Sequence, residues 1–375
     1  MRIVILVPFH FFKAQGGAEY QASLLSDWIA HNTEHELYYL ARWTPDDCTP
    51  FPYKIVHFSA PKFFESTRWG LTPDGFSLFR ELNRIRPDVI FTTIASAYAG
   101  LAAIYGKMKS VPLVWRAASD RDLSRNPFVE AQRPMNLLDK ALFIYGIRSA
   151  AKVIVQTEYQ ANALLRVHGR RADAVIANFH HAPESLAPCP PGRKVIIWIA
   201  NQKALKRPEI FVRLAEDFRE EAGVEFHMIG KNQGGKAYAD LFEEASKLPN
   251  FHYHGKQPIE FVNDLVARSY LLLNTSEYEG FPNTLIQAWI RGVPTLTLSV
   301  DPDGMMVRSG AGKLCGSYDV LKTALADLLA DESKRNSMGA AAKDFADDNF
   351  SMVNARRYLD VMEQAFREAR GEISS

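Results

Sequence analysis

The stretch NTSEYEGFPNTLIQAWIRGVP, residues 274–294, decides the interpretation of this chain. Before it stands the apolar run YLLL at residues 270–273, which predicts a buried strand, because parallel strands covered on both faces are continuously apolar. Pro282 is typical of a first helical turn, where its missing N–H costs nothing, and Gly292 is typical of a helix end. The stretch therefore predicts a strand, a polar loop and a short helix.

The start of this predicted helix has the chemistry of an anion site. The backbone amides of Asn283, Thr284 and Leu285 would have no partner inside the helix and would point back toward Glu279. A carboxylate beside such amides suits a ligand that carries both hydroxyls and phosphates. The alternative is an ordinary strand, loop and helix in which Glu279 caps the helix.

The composition is that of a soluble globular protein. The chain has 375 residues, 47% hydrophobic and 23% charged, with a net charge of +1, and this length favours two domains. The first half is mildly basic, which is compatible with an anionic membrane surface or with chance variation among solvated charges. Nothing indicates nucleic acid. Cys48, Cys189 and Cys315 lie far apart, so we expect neither disulfides nor a metal site, and a cytosolic location.

A glycine pair follows the first predicted strand, at residues 3–8. Gly16 and Gly17 allow backbone N–H groups to approach a ligand closely, although turn geometry explains such a pair equally well. Ligands bind at the carboxyl edge of open parallel sheets, which favours the functional interpretation. Arg116, at the end of a later predicted strand, is a further candidate substrate contact, with a solvated loop charge as the alternative.

Strand-like and helix-like segments alternate along the chain, which predicts parallel sheets wrapped by helices, an α/β fold. Between the two halves, residues 182–192 contain four prolines and a glycine and predict an interdomain linker. We interpret the neighbouring His180 and His181 as linker histidines. The expected domains are an N-terminal Rossmann-like domain at residues 1–187, a C-terminal one at residues 188–350, and a final helix within residues 351–375.

The second half begins with another apolar strand, followed by a polar loop that carries Asn201, Lys206 and Arg207. A lysine at the end of such a strand is a compact point charge for a diphosphate, and Arg207 offers a second charge. The alternative is that Lys206 is an ordinary surface lysine.

Together these motifs resemble glycosyltransferase family 4, whose members are retaining enzymes of GT-B fold. The resemblance rests on the sequence EGFPN that begins at Glu279, on a polar residue eight positions after Glu279, on the Gly-Gly-x-Glu loop at residues 16–19, and on Lys206. In the family a second glutamate stands where this chain has Gln287, and an arginine stands where it has Asn201. The resemblance implies two Rossmann-like domains that face each other across a cleft, with the last helix returning to the first domain.

The resemblance further implies a metal-independent transfer, with retention, of a sugar from a nucleotide-diphosphate donor of UDP or GDP type to an acceptor hydroxyl. The predicted catalytic residues are Glu279, which would bind the transferred sugar, and Lys206, which would bind the diphosphate. The predicted substrate contacts are Gly16, Gly17, Arg116, Asn201, Arg207, Phe281, Pro282, Asn283, Thr284 and Gln287. The expected acceptor is a glycan or lipid-linked glycan in cell-surface polysaccharide assembly. The expected location is the cytoplasm, with peripheral association at the inner face of the membrane.

Two other functions remain open at this point. Because Asn201 and Gln287 depart from the family pattern, the chain could be a degenerate protein that binds a sugar nucleotide without turnover. Another GT-B enzyme, such as a sugar-nucleotide epimerase, would have the same fold but would need no second acceptor substrate.

Overall fold

The protein is described by a computed structural model that covers residues 1–13, 16–44, 50–59, 71–124, 137–183 and 192–372. The chain folds into two compact units. The first unit contains Met1–Phe179 and Met352–Ser375, and the second contains His180–Ser351. The predicted domain boundary at residues 187–188 lies outside the described residues, and the structural division falls a few residues before it.

The described residues form thirteen strands and thirteen α-helices. The strands are β1 (Arg2–Phe9), β2 (Glu36–Trp43), β3 (Lys54–His57), β4 (Val89–Thr93), β5 (Leu113–Arg116), β6 (Lys152–Val155), β7 (Ala174–Val175), β8 (Lys194–Ile199), β9 (Val224–Ile229), β10 (Phe251–Tyr253), β11 (Leu271–Asn274), β12 (Thr295–Thr297) and β13 (Gly312–Leu314). The helices are α1 (Gly17–Asn32), α2 (Gly75–Ile85), α3 (Ala97–Lys109), α4 (Leu137–Ser149), α5 (Glu158–His168), α6 (Pro208–Asp217), α7 (Lys236–Ala245), α8 (Ile259–Ala267), α9 (Asn283–Trp289), α10 (Met305–Ser309), α11 (Tyr318–Ala330), α12 (Glu332–Asn349) and α13 (Val353–Ala369).

Each unit is built on one parallel sheet. The first sheet has the strand order β3-β2-β1-β4-β5-β6-β7 and the second has the order β10-β9-β8-β11-β12-β13. In both sheets the chain order reverses beside the first strand of the unit, which is the topological switch point where open α/β sheets bind ligands. The predicted α/β fold with two parallel sheets is confirmed.

The central strands are apolar because helices cover both faces of each sheet. In the first unit the side chains of β1 from Ile3 to Val7 are fully buried. In the second unit Ile196 and Ile197 of β8 and Leu271 of β11 are likewise 0% exposed. These cores fix the strand ends that carry the polar loops.

Two glycines allow α3 and α4 to pack closely. A Cβ atom on Gly100 would lie 2.2 Å from the carbonyl oxygen of Leu142, and one on Gly146 would lie 2.4 Å from the carbonyl carbon of Ala99. Since backbone atoms cannot move aside cheaply, both positions require glycine. The sequence predicts a helix from about Pro134 to Ser149, which corresponds to α4; residues 134–136 lie outside the described residues.

The last helix, α13, belongs to the first unit. Tyr358, Leu359 and Met362 are at most 1% exposed and join the core on one face of the first sheet. The Tyr358 hydroxyl donates to the carbonyl of Ile176 at 2.9 Å. The chain therefore enters the second unit after Phe179 and returns to the first at Met352.

Several details differ from the sequence prediction. Pro282 lies at the N-cap of α9 and not within its first turn, and α9 ends at Trp289, with Gly292 in the following turn at φ +67°. The short elements α10 and β13 were not predicted.

His180 is buried in the second unit, where its backbone N–H donates to the carbonyl of Phe350. Cys315 is a buried free thiol, whereas Cys48 and Cys189 lie outside the described residues. Within the described ranges, no helix has both the length and the apolar character to cross a membrane.

Candidate active site

An ion pair between Lys206 and Glu279 lies at the carboxyl ends of β8 and β11. Lys206 Nζ is 2.7 Å from Glu279 Oε2, and the two side chains are 19% and 16% exposed. Lys206 follows β8 and Glu279 follows β11, and these strands are neighbours in the second sheet. The two residues to which the sequence analysis gave catalytic roles are thus in direct contact.

The polar end of β11 holds the Glu279 carboxylate in place. Glu279 Oε1 accepts hydrogen bonds from Asn274 Nδ2 at 2.9 Å and from Ser276 Oγ at 2.6 Å. Asn274 Oδ1 in turn accepts from the Ser276 amide at 2.9 Å, which fixes the turn between them. The sequence analysis gave no role to Asn274 or Ser276. They orient the carboxylate.

The Glu279 carboxyl group is held in its ionised form. Burial raises its pKa, but the charge and hydrogen bond of Lys206, together with the hydrogen bonds of Ser276 and Asn274, outweigh burial, so the pKa lies below its ordinary value. Glu279 therefore accepts hydrogen bonds as a carboxylate near neutral pH, and it is suited to bind hydroxyl groups.

Thr275 joins the β8–α6 loop to the β11–α9 loop. Its Oγ1 donates toward the carbonyl of Lys206 at 2.6 Å and receives a hydrogen bond from Trp198 Nε1 at 2.9 Å. The Glu277 amide donates to the Leu205 carbonyl at 2.9 Å. Lys206 is thus positioned by the same loop that carries Glu279.

Arg207 stabilises the same junction, which changes the expectation for its side chain. Its Nε donates to the Thr275 carbonyl at 2.9 Å, and its Nη2 donates to Ser299 Oγ at 2.8 Å. Its backbone has left-handed angles, φ 47° and ψ 55°, at the start of α6. Because these donors are directed to protein oxygens, the side chain of Arg207 links the two loops. Lys206 forms the ion pair with the Glu279 carboxylate.

Asn201 closes the adjacent loop. Its Oδ1 accepts a hydrogen bond from the Lys231 amide at 3.2 Å. A Cβ atom on Gly230, whose φ is +142°, would lie 1.9 Å from the Ala200 carbonyl oxygen, so the two loops approach too closely for any other residue. Asn201 connects strand ends at the carboxyl edge of the second sheet, and its predicted donor contact stays a prediction.

The helix α9 brings Gln287 to the same loop region. Gln287 is 5% exposed, and its backbone carbonyl accepts a hydrogen bond from Arg291 Nη1 at 3.0 Å. Asn283 and Thr284 are half-buried in the first turn. The Leu285 amide donates to the Pro282 carbonyl at 3.1 Å, so this amide, expected to face a ligand, already has a partner. The roles predicted for Asn283, Thr284 and Gln287 stay predictions.

The ring of Phe281 packs in the core of the second unit, and its expected substrate contact stays a prediction. Its ring is 6% exposed and lies 5.0 Å from the Phe350 ring and 6.3 Å from the Trp289 ring, centroid to centroid. Pro282 is also buried. The aromatic cluster explains why an apolar pair interrupts this polar loop: it fixes the loop onto the core.

Arg116 is likewise a structural residue of the first unit. It is 3% exposed, and its guanidinium donates to Tyr358 Oη at 2.8 Å, to Thr93 Oγ1 at 3.3 Å and to Asn178 Oδ1. Its hydrogen bonds fasten α13 to the carboxyl ends of β4 and β5. These donors are used inside the unit, and the expected substrate contact of Arg116 stays a prediction.

The glycine pair begins α1. Gly16 is the N-cap residue, and a Cβ atom there would lie 2.2 Å from Glu19 Oε2. The Glu19 carboxylate therefore folds back over Gly16, and the absence of a side chain at Gly16 leaves room for it. The preceding residues 14–15 of the predicted Gly-Gly loop lie outside the described residues.

One family model matches a segment that lies in the second unit. Residues 187–345 match the family model described as "Glycosyl transferases group 1". No curated protein matches the chain in sequence at a significant level.

Solved structures match almost the whole chain at low sequence identity. Sucrose-phosphate synthase from Thermosynechococcus elongatus has 15% identity and a TM-score of 0.78, over 98% of this chain and 99% of that one. HepE from Anabaena, in complex with UDP-glucose, has 14% identity and a TM-score of 0.74, over 97% and 100%. WaaG, a glycosyltransferase involved in lipopolysaccharide biosynthesis, has 14% identity and a TM-score of 0.75, over 96% and 99%. At these identities the likeness shows the fold. The chain thus has the GT-B fold, and its residues 187–345 match the family model of group 1 glycosyl transferases.

Proposed function

We propose that this protein transfers a sugar, with retention and without a metal ion, from a nucleotide-diphosphate sugar to an acceptor hydroxyl. The observation that carries the proposal is the Lys206–Glu279 ion pair, 2.7 Å long, at the ends of two neighbouring strands in the unit that matches the family model. A fixed cation beside a fixed carboxylate matches a donor that carries an anionic diphosphate next to sugar hydroxyls.

Lys206 stabilises the charge that develops on the departing diphosphate. The ammonium group has three donors, of which the Glu279 carboxylate engages at least one. Stabilisation of charge as it forms in the transition state is a large contribution to catalysis, because the preorganised group needs no rearrangement during the reaction. The leaving phosphate oxygen then takes the proton of the acceptor hydroxyl, on the same face of the sugar.

Glu279 orients the transferred sugar. Its carboxylate is fixed by Asn274 and Ser276, and its lowered pKa keeps it a hydrogen-bond acceptor at neutral pH. Hydrogen bonds from sugar hydroxyls to an ionised carboxylate are worth about 1.5–3 kcal/mol each. Gln287 would bind the ribose through its amide, and the donor would be of UDP or GDP type. The UDP-glucose in the HepE structure supports a nucleotide-sugar donor.

A panel of UDP-, GDP- and ADP-sugars tests the proposal, with donor binding followed by thermal shift and nucleotide release followed in the same samples. We expect a selective shift and slow nucleotide release that an acceptor extract accelerates. Binding without release, with acceptor present, would identify a non-catalytic sugar-nucleotide binder. A new sugar nucleotide without any acceptor would identify an epimerase. No shift with any donor would contradict the assignment of the site.

A charge-matched pair of variants locates the site. Glu279→Gln should lower turnover by about 10- to 100-fold, the equivalent of one charge-assisted hydrogen bond. Glu277→Gln makes the same charge change two residues away, at an exposed side chain, and should leave turnover unchanged. If both variants lowered turnover equally, turnover would depend on the net charge of the loop and not on a contact between Glu279 and the transferred sugar.

We also propose a glycan or lipid-linked acceptor at an anionic membrane surface, with the protein peripheral on the cytoplasmic side. The supporting feature is the outer face of α4, which exposes Leu137 (87%), Leu138 (55%) and Tyr145 (37%). Arg148 of α4 and Arg171 contribute to a basic shallow pocket nearby. Apolar side chains beside cations are typical of surfaces that bind anionic lipid. Cosedimentation with anionic vesicles should be lost in the double variant Leu137→Ser, Leu138→Ser. If the wild-type protein bound neutral vesicles and did not bind anionic ones, the proposed attraction between the cations and anionic lipid would be contradicted.

A further inference from the structure

Three histidines and a glutamate lie together on one face of the second sheet, at its β9–β10 edge. Glu225 and His227 alternate along β9, and His252 and His254 alternate along and just beyond β10. Residues two apart in a strand point to the same face. The strand register pairs His252 with His227, which places the two pairs side by side.

The distances between three of these side chains fit a shared cation. Glu225 Oε2 is 3.0 Å from His227 Nε2 and 3.8 Å from His252 Nε2. One ligand atom from each of the three residues lies within 4.8 Å of the others. Ligands at Zn²⁺–N distances of about 2.0–2.1 Å in a tetrahedron are separated by about 3.3 Å. Small rotations of the side chains would therefore bring all three onto one ion.

Two neighbouring residues complete the arrangement as outer partners. His227 Nδ1 is 2.9 Å from His254 Nε2, so a metal on His227 Nε2 leaves the Nδ1–H to donate to His254. Arg193 Nε donates to Glu225 Oε1 at 2.8 Å and fixes the carboxylate. Ligating histidines and carboxylates are generally held by such second partners, which set the tautomer and orientation.

The group has both a buried anchor and an accessible side. The His227 side chain is 9% exposed, Glu225 is 22% exposed and His252 is 43% exposed. An ion can therefore reach the group from solvent, and a water molecule can complete its coordination. Two imidazoles with one carboxylate favour Zn²⁺ and related transition metals over Mg²⁺ and Ca²⁺, which prefer oxygen ligands alone.

We propose that Glu225, His227 and His252 bind one divalent transition-metal ion of the Zn²⁺ class, with His254 as the positioning residue for His227. The ion would tie the edge strand β10 to β9 and stabilise the second unit. This site uses none of the residues assigned to sugar transfer. The test of metal binding is therefore independent of the test of the transferase function.

Metal content of the full-length, untagged protein tests the proposal directly. After incubation with Zn²⁺ and dialysis, we expect one equivalent of zinc per chain and a rise in the melting temperature, whereas Mg²⁺ should produce neither. His252→Gln replaces the most exposed ligand. This variant should retain no zinc after dialysis and should show no increase in melting temperature with Zn²⁺. His57→Gln, at an exposed histidine of β3 in the other unit, is the matched control and should keep both. No retained zinc in the wild type, or equal zinc in the wild type and His252→Gln, would overturn the site.

A second variant separates ligation from simple loss of folding. His254→Gln removes only the outer partner and should weaken zinc affinity by about 10- to 100-fold without abolishing binding. Co²⁺ provides a spectroscopic readout, because its visible absorption reports the ligand set. We expect a cobalt band in the wild type and in His57→Gln and none in His252→Gln. A band of the same shape in all three would assign the binding to adventitious surface sites and overturn the proposal.

Discussion

At the scale of single residues, each side chain of the candidate site depends on partners that lie far from it in the chain. Lys206 and Glu279 were both assigned to a donor site from local sequence, yet their mutual contact requires β8 and β11 to be neighbours in the sheet. Arg116 and Phe281 show the opposite case. Both residue types suit ligand binding, but the structure uses their side chains internally. A sequence shows the chemistry of a side chain, whereas its direction depends on the packing around it.

Lys206→Gln should impair donor binding and destabilise the fold together. Loss of the cation removes the diphosphate contact and leaves the Glu279 carboxylate, 16% exposed, without its ion pair. We expect about 1–3 kcal/mol lower free energy of unfolding, between the values for surface and buried pairs. Denaturant unfolding and donor titration measure the two effects. Lys334→Gln, an exposed lysine of α12, is the control and should change neither. Unchanged donor affinity in Lys206→Gln would refute its phosphate role.

The same ion pair predicts a pH dependence of stability. The pKa of Glu279 is lowered in the folded protein, so its contribution is fully present above the unfolded value, about 4.3, and is lost as the pH falls through the lowered folded pKa. The difference in unfolding free energy between wild type and Glu279→Gln should therefore stay constant from neutral pH to about pH 4.3 and shrink only below it. A difference that decreases already near neutral pH would contradict the ionised, paired carboxylate.

At the scale of elements, the strands and their carboxyl-terminal loops were predictable because continuous apolar runs, glycines and prolines mark them. The positions of β1 and β11 agree with the apolar runs at residues 3–8 and 270–273. The short α10 and β13 were not predicted, since elements of five and three residues carry too little periodicity. The left-handed backbone conformation of Arg207 was also not predictable, because arginine rarely adopts a positive φ.

The contact between α3 and α4 gives a prediction at this scale. Gly146→Ala would place a Cβ atom 2.4 Å from the carbonyl carbon of Ala99 and 2.6 Å from the Gly100 nitrogen, so the two helices must separate. Overpacking of this kind costs about 1–3 kcal/mol of unfolding free energy. Thermal or denaturant unfolding measures the loss. Ser149→Ala, exposed at the end of α4, should be close to wild type, and equal stability of both variants would show that the helices adjust.

At the scale of the whole molecule, the fold class followed from the alternation of strands and helices, and the two units followed from chain length and the proline-rich junction. The family resemblance, and not the pattern of residues, led to the expectation that the last helix returns to the first domain. In the structure Tyr358 carries that contact, through its hydrogen bonds with Arg116 and Ile176. Helical periodicity identifies α13 as amphipathic, but it does not predict which surface of the protein the apolar face covers.

Removal of α13 should destabilise the first unit selectively. A chain that stops at Ser351 loses three nearly fully buried side chains, Tyr358, Leu359 and Met362, and leaves the buried Arg116 without its Tyr358 partner. Burial of each such side chain contributes about 1.5–3 kcal/mol. Hydrogen exchange should show early opening in the first unit and native protection in β8–β13. Equal protection of both units in the truncated and full-length chains would contradict the role of α13.

The return of the chain to its first unit also has a consequence for biosynthesis. Residues 180–351 form the second unit as one continuous segment, while the first unit lacks part of its core until residues 352–375 have been made. A ribosome releases the chain from its amino end onward, so the segment synthesised later is able to finish folding earlier. The first unit must therefore wait, with part of its apolar sheet face uncovered, until Met352 and the residues of α13 have been synthesised.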